Sequence, residues 1–231
     1  GLTPSFFMKK IKIIDNFLEN PHEHRNSWVN LSDKPINEYP YHAYLQKTNL
    51  KRETEKIEQQ ISNIMGAECR LFQRDGSYFS YFSENPFNAT LNHHDGVGVY
   101  PAYVHLTLPE YIQEGDGTNM LEYKITKTRK KSETDPNLME NYPLPLPVTE
   151  NLNPQEIAYY ANTDHFNMKN WEVWEHIPMK FNRLVILEGD YWHKTTRNFG
   201  TTRENVRLIE MLHFQIIGKK VIHAEQPTFK K

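Results

Sequence analysis

Two rhythms of apolar residues divide the chain. Residues 51–65 (KRETEKIEQQISNIM) carry Ile57, Ile61, Ile64 and Met65 at spacings of three and four, which predicts a helix with one apolar face, and Gly66 follows as a natural stop. Ahead of it, Lys10 to Ile14 (KIKII) predicts a short strand. Asn20-Pro21 predicts a helix start, with Asn at the cap and Pro at the first helical position, and Trp28, Val29 and Leu31 give that helix an apolar side. Pro35 to Tyr44 is rich in Pro and Tyr and predicts irregular structure.

From Ala67 onward the rhythm shortens. Residues 68–73 and 76–83 alternate aromatic with small residues and predict strands; residues 97–108 predict a pair broken at Pro101. Gly115-Asp116-Gly117 signals a turn, with a strand over 118–126 after it. Residues 183–188 (RLVILE) and 206–217 (VRLIEMLHFQII) predict two strongly apolar strands, the second longer. Between them and the earlier strands, residues 129–181 carry several prolines, many polar residues and the aromatic pair Trp171 and Trp174. Their length predicts an insertion between strands, of the kind that often forms a lid over a site. Helices first and many short strands afterwards make this an α+β chain whose core is an all-β sandwich or barrel.

Composition narrows the class. At 231 residues, 38 % hydrophobic and 13 % aromatic, the chain can bury the core of one good-sized domain. A net charge of −2 supplies no field for nucleic acid or an anionic membrane, and the basic run Lys124 to Lys131 reads as a solvated loop. The single cysteine, Cys69, has no internal disulfide partner and reads as a small buried side chain. No apolar run approaches the ~20 residues of a membrane span. Residues 1–7, ahead of Met8, read as a remnant or an extension, without the basic start of a signal peptide. A cytoplasmic setting is the default expectation.

The chemistry concentrates in His93-His94-Asp95. Residues two apart in an extended segment point the same way, so His93 and Asp95 can face one point while His94 faces the other side. A further histidine would complete the facial arrangement of two imidazoles and one carboxylate that leaves positions open on iron(II). His193 is the candidate, because it follows the apolar strand 183–188 across Gly189-Asp190-Tyr191-Trp192. Downstream, Arg207 opens the last strong strand and offers a planar fork to a carboxylate. Each residue also has a plain role open to it: a surface turn for His93 and Asp95, a core histidine for His193, a salt bridge to Glu204 or Glu210 for Arg207. His105 and His213 lie in strand-like runs and read as structural; His165, Trp171 and Trp174 read as packing of the insertion, with a channel lining as the alternative.

Taken together, these segments resemble the 2-oxoglutarate/iron(II)-dependent dioxygenases, nearest their prolyl-4-hydroxylase-like branch and bacterial members of unknown substrate. The resemblance runs through IKIIDNFLENPHEHRNSW, LNHHDG, VHLTLPEYIQEGDGTNMLEY and NRLVILEGDYWHKTTRNFG leading into ENVRLIEML, roughly residues 10–30, 77–126 and 182–216. It implies a double-stranded β-helix (jelly-roll, cupin-like) core with the N-terminal helices packed on one sheet. It implies a single domain over residues 1–231: strand and helices in 8–66, core in 67–217 with the insertion 129–181, and a tail at 218–231. It makes His93, Asp95 and His193 the iron ligands and Arg207 the partner of the distal carboxylate of 2-oxoglutarate, with Arg203 as rival and Tyr81 as a further cosubstrate contact. The implied cofactors are Fe(II), 2-oxoglutarate and O2, with ascorbate as a stimulant. The implied reaction converts 2-oxoglutarate and O2 to succinate and CO2 while hydroxylating an unactivated C–H bond. A free amino acid, a peptide or protein side chain and a small metabolite are all open as substrate, and neither nucleic acid nor membrane is expected as partner. A cupin-like binding protein without turnover, and a zinc hydrolase on the same ligands, are the competing classes.

Overall fold

The computed structural model describes residues 11–29, 44–47, 53–72, 77–81, 91–140, 146–147, 154–200, 202, 204–223 and 229–230. The expectations for residues 1–7 and 35–43 lie outside this set. The chain opens with strand β1 (Ile11–Asp15) and helix α1 (Pro21–Val29), which begins at the Asn20-Pro21 pair, the His24 N–H donating to the Asn20 carbonyl at 3.0 Å. Strand β2 (Tyr44–Lys47) precedes helix α2 (Thr54–Met65), which buries Ile57, Ile61 and Met65. Gly66 ends α2 at φ 67°, a left-handed conformation that suits a residue without Cβ. Next come β3 (Cys69–Leu71), β4 (Ser77–Tyr81), β5 (Gly96–Val97), β6 (Val99–Tyr100), β7 (Ala102–His105) and β8 (Gly117–Tyr123). The rest are β9 (Leu146–Pro147), α3 (Pro154–Ala161), β10 (Trp171–Pro178), β11 (Arg183–Leu187), β12 (His193–Thr195), β13 (Arg207–Met211), β14 (Phe214–Ile216), β15 (Ile222–His223) and β16 (Phe229–Lys230). Among the described residues, no helix is long and apolar enough to cross a membrane.

Antiparallel pairing assembles a six-stranded sheet in the order β1-β11-β7-β13-β4-β2 and a three-stranded sheet in the order β10-β8-β12. Period-two alternation sorts the large sheet's side chains by face. Leu184, Ile186, Ala102, Val104 and Leu208 pack with Trp28, Ile57, Ile61 and Met65 of the two N-terminal helices. Their neighbours Val185, Leu187, Tyr103 and Ile209 turn the other way and pack with Met120 of β8 and Ile177 of β10. The large sheet thus has helices on one face and the small sheet on the other. Asp15 ties β1 to the edge of β11, with Arg183 Nε at 2.6 Å and Lys180 Nζ at 2.7 Å.

Three features depart from the sequence expectations. The stretch 206–217 forms two strands, because the chain leaves the large sheet after β13 and enters a small one, β3-β14-β6. At the crossing, Leu212 N–H donates to Ala102 O at 2.8 Å and His213 Nδ1 lies 3.0 Å from Ala102 N; apolar residues on both sides hide the break from a pattern reading. The tail, for which no strand is predicted, pairs Ile222 and His223 with Val97 and Gly96. The expected insertion 129–181 ends in a core strand, since β10 pairs with β8 from Trp171↔Tyr123 to Pro178↔Gly117. A bulge between Val173 and Glu175 breaks its alternation and so masks its strand pattern.

The remaining described part of that stretch packs onto the small sheet. Met139 and Trp171 pack with Leu121, Tyr123 and Trp192 as a separate cluster on the small sheet. Asp164, fully buried, holds this layer together. Its carboxylate accepts from Tyr123 Oη at 2.8 Å, Asn170 Nδ2 at 2.7 Å and the Glu140 N–H at 2.8 Å, and its carbonyl accepts from Trp171 Nε1 at 2.6 Å. Asp164→Ala should therefore cost ~3 kcal/mol in urea unfolding, since several buried donors lose their acceptor at once. A loss under ~1 kcal/mol would mean the layer is not anchored there. Asp15 gives a smaller, pH-dependent effect. The hydrogen bonds from Arg183 and then Lys180 hold its carboxyl well below the usual range. Its contribution is present above the unfolded carboxyl value near ~3.9 and is lost as pH falls below it. Asp15→Asn should lower stability by less than ~1 kcal/mol at neutral pH, the carboxylate being about one-third exposed and Lys180 about half, and the difference from the parent should shrink in acid.

Candidate metal centre

A short antiparallel bridge sets the geometry. The His93 N–H donates to His193 O at 2.9 Å and the His193 N–H donates to His93 O at 2.8 Å. Residues that exchange both hydrogen bonds in this way project their side chains to the same side. The two imidazoles accordingly lie 4.3 Å apart between ring centroids. Strand β12 is fixed in turn by β8, His193 standing opposite Met120. Two residues past His93, Asp95 returns to the same side, its N–H donating to Gly189 O at 2.7 Å. His94 faces away, edge-on to the Trp192 ring at 4.9 Å, as the alternation predicts. His93, Asp95 and His193 each present one ligand-capable atom, all within 4.8 Å of one another.

The second nitrogen of each ring is spoken for. His93 Nδ1 lies 2.9 Å from Leu91 O and His193 Nδ1 lies 2.9 Å from Tyr191 O. A carbonyl only accepts, so each Nδ1 carries the hydrogen and each Nε2 keeps its lone pair for the shared point. Asp95 Oδ2 is buried and 3.2 Å from His193 Nε2, yet the two are not aligned as donor and acceptor, and Oδ2 has no hydrogen bond among the described residues. Lone pairs converging on one point call for a cation between them. The titration behaviour agrees. Burial works against the Asp95 carboxylate, but His193 and His93 outweigh it and hold the carboxyl below its usual range. Burial lowers His193 too, and Asp95 more than reverses it. Burial, then the neighbouring His193, pushes His93 down to about 4. The cluster draws one positive charge, a proton in the bare protein or a metal ion in its place. With two imidazoles, one carboxylate and no thiolate, the donors fit a divalent first-row metal such as iron(II).

Arg207 enters the same interior from β13, almost fully buried, with Nη2 donating to Thr195 Oγ1 at 2.9 Å. Thr195 lies two residues past His193 in β12 and therefore on its side of the strand. Tyr103 lies on the same face of the large sheet: burial pushes its phenol up to about 12, with the Thr118 hydrogen bond and the Arg207 charge opposing and the Asp95 charge adding. Its hydroxyl shares a hydrogen with Thr118 Oγ1 at 2.7 Å. Glu210, one of the partners expected for Arg207, lies on the helix-facing side of β13, where His24 Nε2 meets it at 2.7 Å. Tyr81 stands opposite Arg207 in the β4–β13 register, and Arg203 lies outside the described residues. Trp171 belongs to the cluster on the small sheet, His165 Nδ1 lies 3.2 Å from Asn92 O, and Trp174 lies under Arg129 at 4.5 Å. Sequence reasoning passed over Thr195, although counting two on from His193 finds it, and over Tyr103 and Thr118, which carry no motif.

No known family model matches the chain, and no curated protein matches it. Solved structures do. HygX from Streptomyces hygroscopicus with nickel and 2-oxoglutarate bound matches at TM-score 0.52 and 12 % identity, over 94 % of this chain and 89 % of its own. HygX with nickel, 2-oxoglutarate and hygromycin B bound matches at TM-score 0.51 and 11 % identity, over 90 % and 84 %. At such identity the likeness is one of fold.

The crossing at Gly189 positions Asp95 and can be tested. A Cβ there would stand 2.6 Å from Val99 O and 2.8 Å from Gly96 O, closer than real contacts allow. Gly189→Ala must shift the backbone whose carbonyl holds the Asp95 N–H. Divalent metal affinity, read by equilibrium titration, should fall ~10-fold or more while the far-ultraviolet spectrum stays folded. Unchanged affinity would free Asp95 from this crossing.

Proposed function

We propose that the protein is a mononuclear non-haem iron(II) oxygenase that consumes 2-oxoglutarate and O2, with His93, Asp95 and His193 as the iron ligands. The observation that carries this is the convergence of the three side chains within 4.8 Å, both Nδ1 positions being tied to backbone carbonyls. The fold likeness to HygX, which holds nickel and 2-oxoglutarate, supports it. In this reading the two antiparallel sheets facing each other across Tyr103 and Met120 are the halves of a jelly-roll core. Its placement in the prolyl-4-hydroxylase-like branch rests on the sequence segments quoted above. Iron(II), when bound, supplies the activation of O2 that couples 2-oxoglutarate decarboxylation, giving succinate and CO2, to hydroxylation of a substrate C–H bond.

The chain's own residues then have defined tasks. His93, Asp95 and His193 occupy one side of the ion and leave the other side open. Arg207, desolvated and steadied by Thr195, meets the distal carboxylate of 2-oxoglutarate, and Tyr103, bonded to Thr118, adds to the interior wall between the sheets. Tyr81, opposite Arg207 in register, is a further cosubstrate contact. The buried surroundings exclude water from this wall. The substrate is a free amino acid, a peptide or protein side chain, or a small metabolite; the near-zero net charge of −2 fits no nucleic-acid or membrane partner, and the single cysteine fits a cytoplasmic setting.

Anaerobic iron(II) plus 2-oxoglutarate should give a weak visible absorption near about 500 nm, as expected for a keto acid chelated to a facial-triad iron. A zinc hydrolase or a plain binding protein gives none, so its absence would sink the reading. Arg207→Ala should raise the 2-oxoglutarate requirement ~100-fold, because a buried charge-assisted contact to carboxylate is lost. Arg203→Ala should change it little; the reverse pattern would move the clamp to Arg203.

A further inference from the structure

His105 is the buried polar group that the centre described so far leaves unexplained. It sits in β7 with no exposed surface, and neither of its ring nitrogens has a hydrogen-bond partner among the described residues. By contrast, His93, His165, His193 and His213 each have Nδ1 against a backbone carbonyl, at 2.9, 3.2, 2.9 and 3.2 Å. A buried donor and acceptor left unmade are costly, and native interiors rarely keep them without a reason.

Its position supplies the reason. The β7–β13 register sets His105 opposite Ile209, so Arg207, two residues away in β13, is its diagonal neighbour on the same face. The Tyr103 ring meets the His105 ring edge-on at 5.3 Å. Burial first, and then the Arg207 charge, keep the imidazole neutral, with its titration pushed down to about 3. A neutral imidazole offers one N–H. Beside it stands a guanidinium, which only donates. A group that satisfies both must accept hydrogen bonds and carry negative charge, and a carboxylate does both.

We propose that His105 donates a ring N–H to the distal carboxylate of the 2-oxo acid held by Arg207, so that the two residues form a subsite selecting dicarboxylic over monocarboxylic 2-oxo acids. The proposal rests on the reading of Arg207 given above. It makes His105 a binding residue of the cosubstrate rather than a structural histidine.

The test compares 2-oxoglutarate with 2-oxopentanoate, which keeps the chelating end and lacks the distal carboxylate. Each is titrated anaerobically into the iron(II)-loaded protein, and Kd is read from the visible absorption, without turnover. His105→Phe keeps the ring packing against Tyr103 and removes both nitrogens. It should weaken 2-oxoglutarate ~10-fold, the loss of about one hydrogen bond to a charged group, and leave 2-oxopentanoate unchanged. His105→Gln, which keeps an N–H, should recover most of the loss. An unchanged Kd for 2-oxoglutarate overturns the proposal, and so does equal weakening of both acids, which would mark a packing role. Should His105→Phe fail to fold, the unaltered protein with zinc(II) in place of iron decides by nuclear magnetic resonance. The His105 ring N–H should become protected from exchange with 2-oxoglutarate and not with 2-oxopentanoate; identical behaviour with both acids overturns the proposal. A native protein that shows no preference for 2-oxoglutarate over 2-oxopentanoate defeats the Arg207 reading and takes the subsite with it. Native preference that is undiminished in His105→Phe defeats the subsite alone.

Discussion

The pair of hydrogen bonds between His93 and His193 is the constraint on which the centre depends. One residue comes from a loop and the other from the edge strand of the small sheet. Without the bridge, nothing in their sequence positions, 100 residues apart, would hold the rings on one side of the backbone. Asp95 joins them because an extended segment repeats its direction every second residue, and because the Gly189 carbonyl catches its N–H. The carbonyls of Leu91 and Tyr191 then turn each ring so that Nε2 faces inward. Backbone geometry thus does most of the positioning, and the side chains have little freedom left to lose on binding a metal ion.

The same period of two organises the large sheet. One register of side chains binds helices α1 and α2; the other faces the small sheet and carries Tyr103, His105 and Arg207 alongside apolar Val185, Leu187 and Ile209. A single strand such as β13 therefore serves both purposes. Leu208 anchors it to the helices while Arg207, one residue earlier, reaches the interior. The arginine keeps its charge there because guanidinium resists deprotonation and Thr195 accepts one of its hydrogens. Polar groups placed within an apolar wall have weaker competition from water, which makes them effective for binding a charged ligand.

Much of this arrangement was legible in the sequence. Local signals placed α1 at Asn20-Pro21 and α2 before Gly66, because capping and helical spacing act within a few residues. The HxD triplet and the distal His193 were legible because the alternation rule fixes direction without knowledge of the partner strand. What could not be read were features set by distant pairing. The β10 strand was hidden by its bulge, the division between β13 and β14 by apolar residues on both sides, and Asp164 by the fact that its partners come from separate segments. His105 looked like an ordinary strand histidine because only the β7–β13 register shows that Arg207 is its neighbour.

The central claim is that His93, Asp95 and His193 together hold one metal ion and leave part of its coordination sphere open. X-ray absorption at the iron edge, on protein loaded anaerobically with iron(II), tests it most directly. The account predicts one iron per chain in a six-coordinate shell of nitrogen and oxygen donors, with the scattering of two imidazoles, and loss of that iron when the three residues are replaced together by alanine. A closed four-coordinate shell, a sulfur ligand, or an unchanged shell in the triple variant would contradict it.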